Sequence, residues 1–156
     1  MKKNAAFALV TLVTLALSAC SSTDKDAQAA QFAHNEANLS TAQHNAAVDC
    51  SDTAQCDAAW VLTKRYIEQH SNTSVTRADA FSIDTDVPSS SGDVAFSATR
   101  VAKGTGGGAT LTLFAQCRSM YGANDEKGSD YDECVEKIVK AQNGYVPYLK
   151  AHVSGQ

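Results

Sequence analysis

The chain has 156 residues, enough for one domain with appendages, and its 44% hydrophobic and 19% charged residues are the balance of an ordinary globular protein. The formal net charge is −4 at pH 7, and removing Lys2 and Lys3 would make the remainder more acidic. An acidic domain has no clustered lysine and arginine with which to hold nucleic acid or an anionic membrane surface, so neither is expected as an electrostatic partner.

The chain opens on a short positive segment, Met1-Lys2-Lys3-Asn4, followed from Ala5 to Leu17 by an apolar run broken only by Thr11 and Thr14. That run is too short for a stop-transfer helix and has the build of a secretory signal. It ends in Leu17-Ser18-Ala19-Cys20, which resembles the lipobox of bacterial lipoproteins, where a small residue precedes the cleavage point and the cysteine receives a diacylglyceryl group and then an amide-linked acyl chain. The resemblance covers about twenty residues. It implies cleavage before Cys20, lipidation of Cys20 and attachment to a membrane through acyl chains, each buried methylene contributing about 0.8 kcal/mol. In that family an aspartate just after the cysteine favours the inner membrane. Ser21 and Ser22 stand there instead, which implies the outer membrane, facing the periplasm or the cell surface.

Residues 1 to 19 are therefore expected as a signal peptide, 20 to 49 as the lipidated cysteine with a flexible tether, and 50 to 156 as a single α+β domain. The tether is rich in Ser, Ala, Gln, Asn and His, with only Phe32, Leu39 and Val48 as larger apolar side chains, too little to bury against anything. A coil of that length reaches roughly 30 Å.

From Thr53 to His70 the period becomes helical. Cys56, Ala59, Trp60, Thr63, Tyr66, Ile67 and His70 recur at steps of three and four, and Asp52 or Thr53 can cap the start. The period then changes to two. Thr73 to Arg77 suits a short strand, and Phe81, Ile83, Thr85 and Val87 alternate with Ser82, Asp84 and Asp86 up to Pro88 and the Ser89 to Gly92 turn. Val94, Phe96 and Ala98 lead a strand running to about Ala102. Gly104 to Gly108 turn the chain, and Leu111, Leu113, Ala115 and Cys117 alternate with Thr110, Thr112 and Gln116, so these two strands form a hairpin. A polar loop from Arg118 to Ser129 leads to a last helix, with a capping box at Ser129-x-x-Asp132 and an apolar side of Tyr131, Cys134, Val135, Ile138 and Val139. Asn143-Gly144 weakens that helix and Pro147 bends or ends it. The order predicts a two-layer α+β domain: helix, a three- or four-stranded antiparallel sheet, then helix, with both helices on one face.

Apart from Cys20 the cysteines are Cys50, Cys56, Cys117 and Cys134, an even number that reads as two disulfides in an oxidising compartment. The local pairing, Cys50 with Cys56 and Cys117 with Cys134, is preferred, because Cys117 shares the inward parity of Leu111 and Leu113, where Cys134 on a packed helix can meet it. A zinc site lacks the paired C-x-x-C or H-x-x-x-H spacing.

No motif of established chemistry emerges. Gly104 to Gly108 lack the lysine and following helix of a phosphate loop. Asp125, Glu126, Asp130, Asp132 and Glu133 lack calcium-loop spacing. Asp84 and Asp86 share a strand face rather than facing each other across a cleft. There is no G-x-S-x-G elbow, and His70 is the one histidine in the helix and sheet region away from the terminus. No cofactor and no metal is expected. The expected role is non-enzymatic binding of another envelope component, protein or glycan, through the polar sheet face with Asp84, Asp86, Thr99, Thr112 and Phe114, or through the loop at 118 to 129. The alternatives are a small periplasmic hydrolase or redox protein using His70, and a sensor or inhibitor displaying a disulfide-rigid loop.

Overall fold

The computed structural model describes residues 19 to 153, with side chains from Thr23 onward. The expected signal peptide up to Ser18 and the side chain of Cys20 lie outside the described residues. The elements are α1 (Ala19–Asn45), β1 (Ala47–Cys50), α2 (Thr53–His70), β2 (Val75–Ala78), β3 (Ser82–Thr85), β4 (Val94–Lys103), β5 (Gly108–Cys117) and α3 (Tyr131–Val153). The strands form one antiparallel sheet in the order β1-β5-β4-β3-β2. The fold is mixed α+β, with the helix, sheet, helix order and two disulfides that the sequence pattern predicts.

The part of α1 up to Glu36 belongs to one compact unit and Ala37 onward to a second. In the first, α1 is mostly exposed, and Gln31 Nε2 donates to Asn35 Oδ1 one turn later at 2.9 Å. Helix here corrects the expected coil. Alanine gives up no side-chain entropy in a helix, and Gln, Glu and Lys give up little, so a composition too poor in apolar groups for a core still winds up.

In the second unit the last turns of α1 and β1 join the domain, which adds a fifth strand to the three or four expected. Ala42 and Ala46 are fully buried, and their small side chains let the backbone come close: Ala46 C=O accepts the Leu113 N–H at 2.9 Å. Gln43 Nε2 donates to the Leu113 carbonyl at 3.0 Å, and the Gln43 side-chain carbonyl accepts from the buried Gln142 at 2.7 Å. β1 then pairs with β5, Val48 opposite Leu111 and Cys50 opposite Ala109.

The long β4–β5 hairpin sets the parity of the sheet, running from Val94 opposite Cys117 to Lys103 opposite Gly108. Ile83, Val94, Phe96, Ala98, Ala109, Leu111 and Leu113 are buried on the inner face. α2 covers it with Cys56, Ala59, Leu62 and Ile67, and α3 with Tyr131, Cys134, Val135, Ile138 and Leu149. Phe81 and Val87 fall outside this pattern. β3 spans only Ser82–Thr85, so the two ends of the expected alternation are 71% and 76% exposed.

α2 starts as predicted, Asp52 Oδ1 accepting the Gln55 N–H at 2.9 Å. α3 departs from expectation at both ends. The capping box at Ser129 does not form: the helix begins at Tyr131, the Asp130 carbonyl takes the Cys134 N–H at 2.9 Å, and the Asp130 carboxylate is held by the hydroxyls of Ser129 and Ser91, which keep it below the usual carboxylate range. Asn143-Gly144 and Pro147 do not end the helix, which runs on to Val153. Pro147 deprives only the carbonyl of Asn143 of its partner, and that residue is exposed to water.

Gly144 has a packing reason. Tyr66 of α2 crosses α3 there, its hydroxyl donating to the Ala141 carbonyl at 2.6 Å. In the same seam Thr63 Oγ1 donates to Ala59 C=O at 2.8 Å and accepts from the Tyr145 hydroxyl at 2.8 Å. Burial pushes both phenols up to about 12. A methyl on Gly144 would lie 2.7 Å from Tyr66 Oη.

Two outcomes follow. Gly144→Ala should gain about 1 kcal/mol in an isolated helix, yet here it should destabilise the domain by about 1–3 kcal/mol through overpacking, as read by urea unfolding. Tyr66→Phe in the same chain should recover part of that loss.

The disulfides join Cys50 to Cys56 and Cys117 to Cys134, with Cα separations of 5.2 and 5.7 Å. The second closes the longer loop, worth about 3 kcal/mol by chain entropy against about 2 for the first. Cys117→Ala and Cys134→Ala should cost similar amounts, and the double variant little more than either. Thermal unfolding of all three checks this.

Candidate functional site

The face of the sheet turned away from α2 and α3 carries the polar residues of β3, β4 and β5. Antiparallel pairing lines them up in rows. Ala47, Thr112, Thr99 and Ser82 stand opposite one another across β1, β5, β4 and β3. Beside that row, Phe114, Ser97, Asp84 and Arg77 run across β5, β4, β3 and β2. On its other side Asp49 faces Thr110, and Thr110 faces Val101. Thr99 and Thr112 are thus direct neighbours, with Phe114 two residues further along β5 on the same face. Phe114 is 38% exposed and Val101 61%, among half-buried hydroxyls.

The charges on this face are tied up locally. Asp49 accepts from Lys103 Nζ at 2.6 Å and Thr110 Oγ1 at 2.7 Å, which hold its carboxyl below the usual range. Arg77 lies 3.7 Å from Asp84 and 2.9 Å from Asp79. Asp79 is held far below the usual range by the Phe81 and Ser82 N–H groups, with Arg77 adding to the effect. Asp86 lies past the end of β3, where its carboxylate accepts the Val87 N–H at 2.8 Å. Even so, Asp84 and Asp86 line one groove of 140 Å³ together with Ser97 and Gln116. The face therefore offers hydroxyls, an amide, partly neutralised carboxylates and one exposed aromatic ring, the groups of a contact surface rather than of a proton-transfer pair.

His70 ends α2, its Nδ1 meeting the Tyr66 carbonyl at 2.8 Å and its ring stacked on Tyr66 at 3.9 Å. Among the described residues no carboxylate or serine hydroxyl bonds it, and no group of three or more His, Cys, Asp or Glu could hold a metal ion. Cys50, Cys56, Cys117 and Cys134 are all consumed by disulfides.

The loop after β5 is braced rather than loose. Met120 is buried, the Gly122 N–H meets Glu126 C=O and the Gly128 N–H meets Met120 C=O, each at 2.9 Å, and Tyr121 pairs with Lys127. Lys127 lies over the Tyr131 ring at 5.4 Å and bonds Asp132 at 2.5 Å. The glycine run of the hairpin has a role that local patterns do not reveal. Gly107, at φ +78°, approaches α2 so closely that a Cβ would overlap Thr53 Oγ1, and a Cβ on Gly108 would come within 3.0 Å of Cys50 C=O.

No protein family, curated protein or solved structure matches this chain, so its functional reading rests on these groups and their geometry.

Parity makes a simple stability contrast. Phe114→Ser on the outer face should cost no more than about 1 kcal/mol, while Leu113→Ala, next along the chain but fully buried, should cost about 2–5 kcal/mol. Chemical denaturation of the two variants measures the difference.

Proposed function

We propose that the protein is a lipid-anchored envelope lipoprotein whose domain binds another envelope component, protein or glycan, and does so without catalysis. The anchor reading is supported by the positive start, the apolar run and Leu17-Ser18-Ala19-Cys20. Two disulfides accord with an exported chain, because thiols stay reduced in the cytosol. The absence of an aspartate after Cys20 favours the outer membrane over the inner.

The observation that carries the binding reading is the outer sheet face. Phe114 stands exposed beside Ser97, Thr99 and Thr112 on a surface that neither α2 nor α3 covers. An aromatic ring among hydroxyls and an amide suits a contact that combines apolar burial with hydrogen bonds, and either a protein surface or a sugar offers both. The braced loop at 118 to 129, stapled at its base by Cys117–Cys134 and showing Tyr121 at 42% exposure, is a second contact element for a protein partner.

Replacing Cys20 with Ser should abolish incorporation of labelled palmitate and release the protein from the membrane fraction; continued labelling would remove the anchor reading. Capture from solubilised envelopes, followed by mass spectrometry, tests the binding reading. The full chain should retain a discrete component that Phe114→Ser loses. Equal retention by both chains would rule out the outer face as the contact.

A further inference from the structure

A different cavity lies on the helix side of the sheet, where α2 begins. It measures 320 Å³ and is lined by Thr53 and Asp57 of α2, Phe81 of the β2–β3 turn, Arg100 of β4 and the backbone of Gly104 and Gly107 in the hairpin. A volume of this size sits at the small end of ligand sites.

Arg100 shares the inner parity of Phe96 and Ala98 but lies beyond the packed core. Its side chain is only 16% exposed, and it gives Nη1 to Asp57 Oδ1 at 2.7 Å. Among the described residues Asp57 is the one group bonded by the Arg100 side chain, so a guanidinium of five donors on a residue lining the cavity keeps most of them uncommitted within the domain. Phe81 is the second element. It is 71% exposed on a braced backbone. Its N–H is held by Asp79 Oδ1 at 2.8 Å, its carbonyl by the Arg100 N–H at 2.8 Å, and the turn itself by Trp60 Nε1, which donates to the Asp79 carbonyl at 2.8 Å. Third, the close approach of Gly107 to Thr53 brings the hairpin onto the positive end of α2, so backbone walls one side of the open cavity.

We infer that this cavity binds a small monocarboxylate with an apolar, preferably aromatic, body. The carboxylate takes the unused donors of Arg100 in the two-pronged geometry that a guanidinium favours, and Phe81 and the glycine backbone hold the body. A single negative charge fits better than a phosphate dianion, because Asp57 lines the same cavity and Arg100 is its one cationic side chain. The site is on the opposite side of β4 and β5 from Phe114 and does not depend on the binding role proposed for the outer face.

The test is titration of the isotopically labelled full chain with benzoate, followed by amide chemical shifts, with benzamide as the uncharged probe of the same shape. Millimolar benzoate should shift Thr53, Phe81, Arg100 and Gly107, and benzamide should bind at least tenfold more weakly. Arg100→Gln should weaken benzoate by a similar factor. Asp57→Asn should strengthen it, because the substitution releases the guanidinium from its internal carboxylate, and this variant decides the matter if Arg100→Gln disturbs the folded spectrum. Phe114→Ser should leave benzoate binding unchanged. No shifts at the cavity, equal binding of benzamide, or weaker binding by Asp57→Asn would each overturn the assignment.

Discussion

Two tyrosine hydroxyls in a buried helix–helix seam govern where α2 and α3 can sit. A buried phenol left without a partner costs about 1–3 kcal/mol, so the helices must approach at a distance and rotation that satisfy both. The Tyr66 hydroxyl reaches Ala141 C=O and the Tyr145 hydroxyl reaches Thr63. The first is feasible only because Gly144 leaves room on the face of α3 that Tyr66 crosses. With that seam fixed, the helices form one slab over Ile83, Phe96, Ala98, Leu111 and Leu113. Each is also stapled near its N-terminus, α2 through Cys56 to the end of β1 and α3 through Cys134 to the end of β5. Each helix is therefore held at its start by a covalent link and along its length by a hydroxyl.

The buried Gln142 amide also ties the end of α1 to the domain through its N–H, although its Oε1 is buried without a partner among the described residues. Gln142 is buried on α3, and its amide donates to Gln43, which in turn donates to the Leu113 carbonyl of β5. A chain of amides thus runs from α3 through α1 to the sheet. Leaving out the last turn of α1 would strand Gln142 Nε2, and leaving out Ala46 after it would remove the carbonyl that accepts the Leu113 N–H.

Elements whose side chains repeat at a fixed period were legible in the sequence. α2, the β4–β5 hairpin and the body of α3 each carry several buried residues in register with their own geometry, and the inward parity of Cys117 was enough to choose its partner. Elements that depend on remote partners were not legible. β1 is four residues long, and its alternation is visible only once Val48 is set against Leu111. α1 has helix-forming composition without an apolar stripe, so its sequence suggests only transient helix. Gly107 and Gly144 have meaning only beside Thr53 and Tyr66, far away in the chain. Of the residues assigned to the outer face, Thr99, Thr112, Phe114 and Asp84 take their positions from strand parity, while Asp86 lies past the strand end. Phe81 continued an inward alternation in the sequence, yet the Asp79 turn ends the strand beside it and leaves the ring in water.

The edges of the sheet narrow the surfaces on which a partner can act. β2 has four residues, a register shift between Val75 and Arg77, and a charged Arg77, while β1 has four residues and carries Asp49 paired to Lys103. Short, bulged and charged edges resist the addition of another strand, because a flat run of open N–H and C=O groups is what such pairing needs. With the inner face covered by α2 and α3, strand addition and helix docking on that face are both disfavoured. The contacts proposed are accordingly side-chain ones: Phe114 among hydroxyls on the outer face, the loop at 118 to 129, and Phe81 beside Arg100 at the start of α2. The rings lie on opposite sides of the β4–β5 hairpin, so the macromolecule proposed for the first would leave the second open to the small ligand proposed for it. Coupling between the two would have to pass through the hairpin backbone, which ten consecutive residue pairs hold in register from Val94–Cys117 to Lys103–Gly108. That ladder is one continuous register, so the two proposed sites are expected to bind independently of each other.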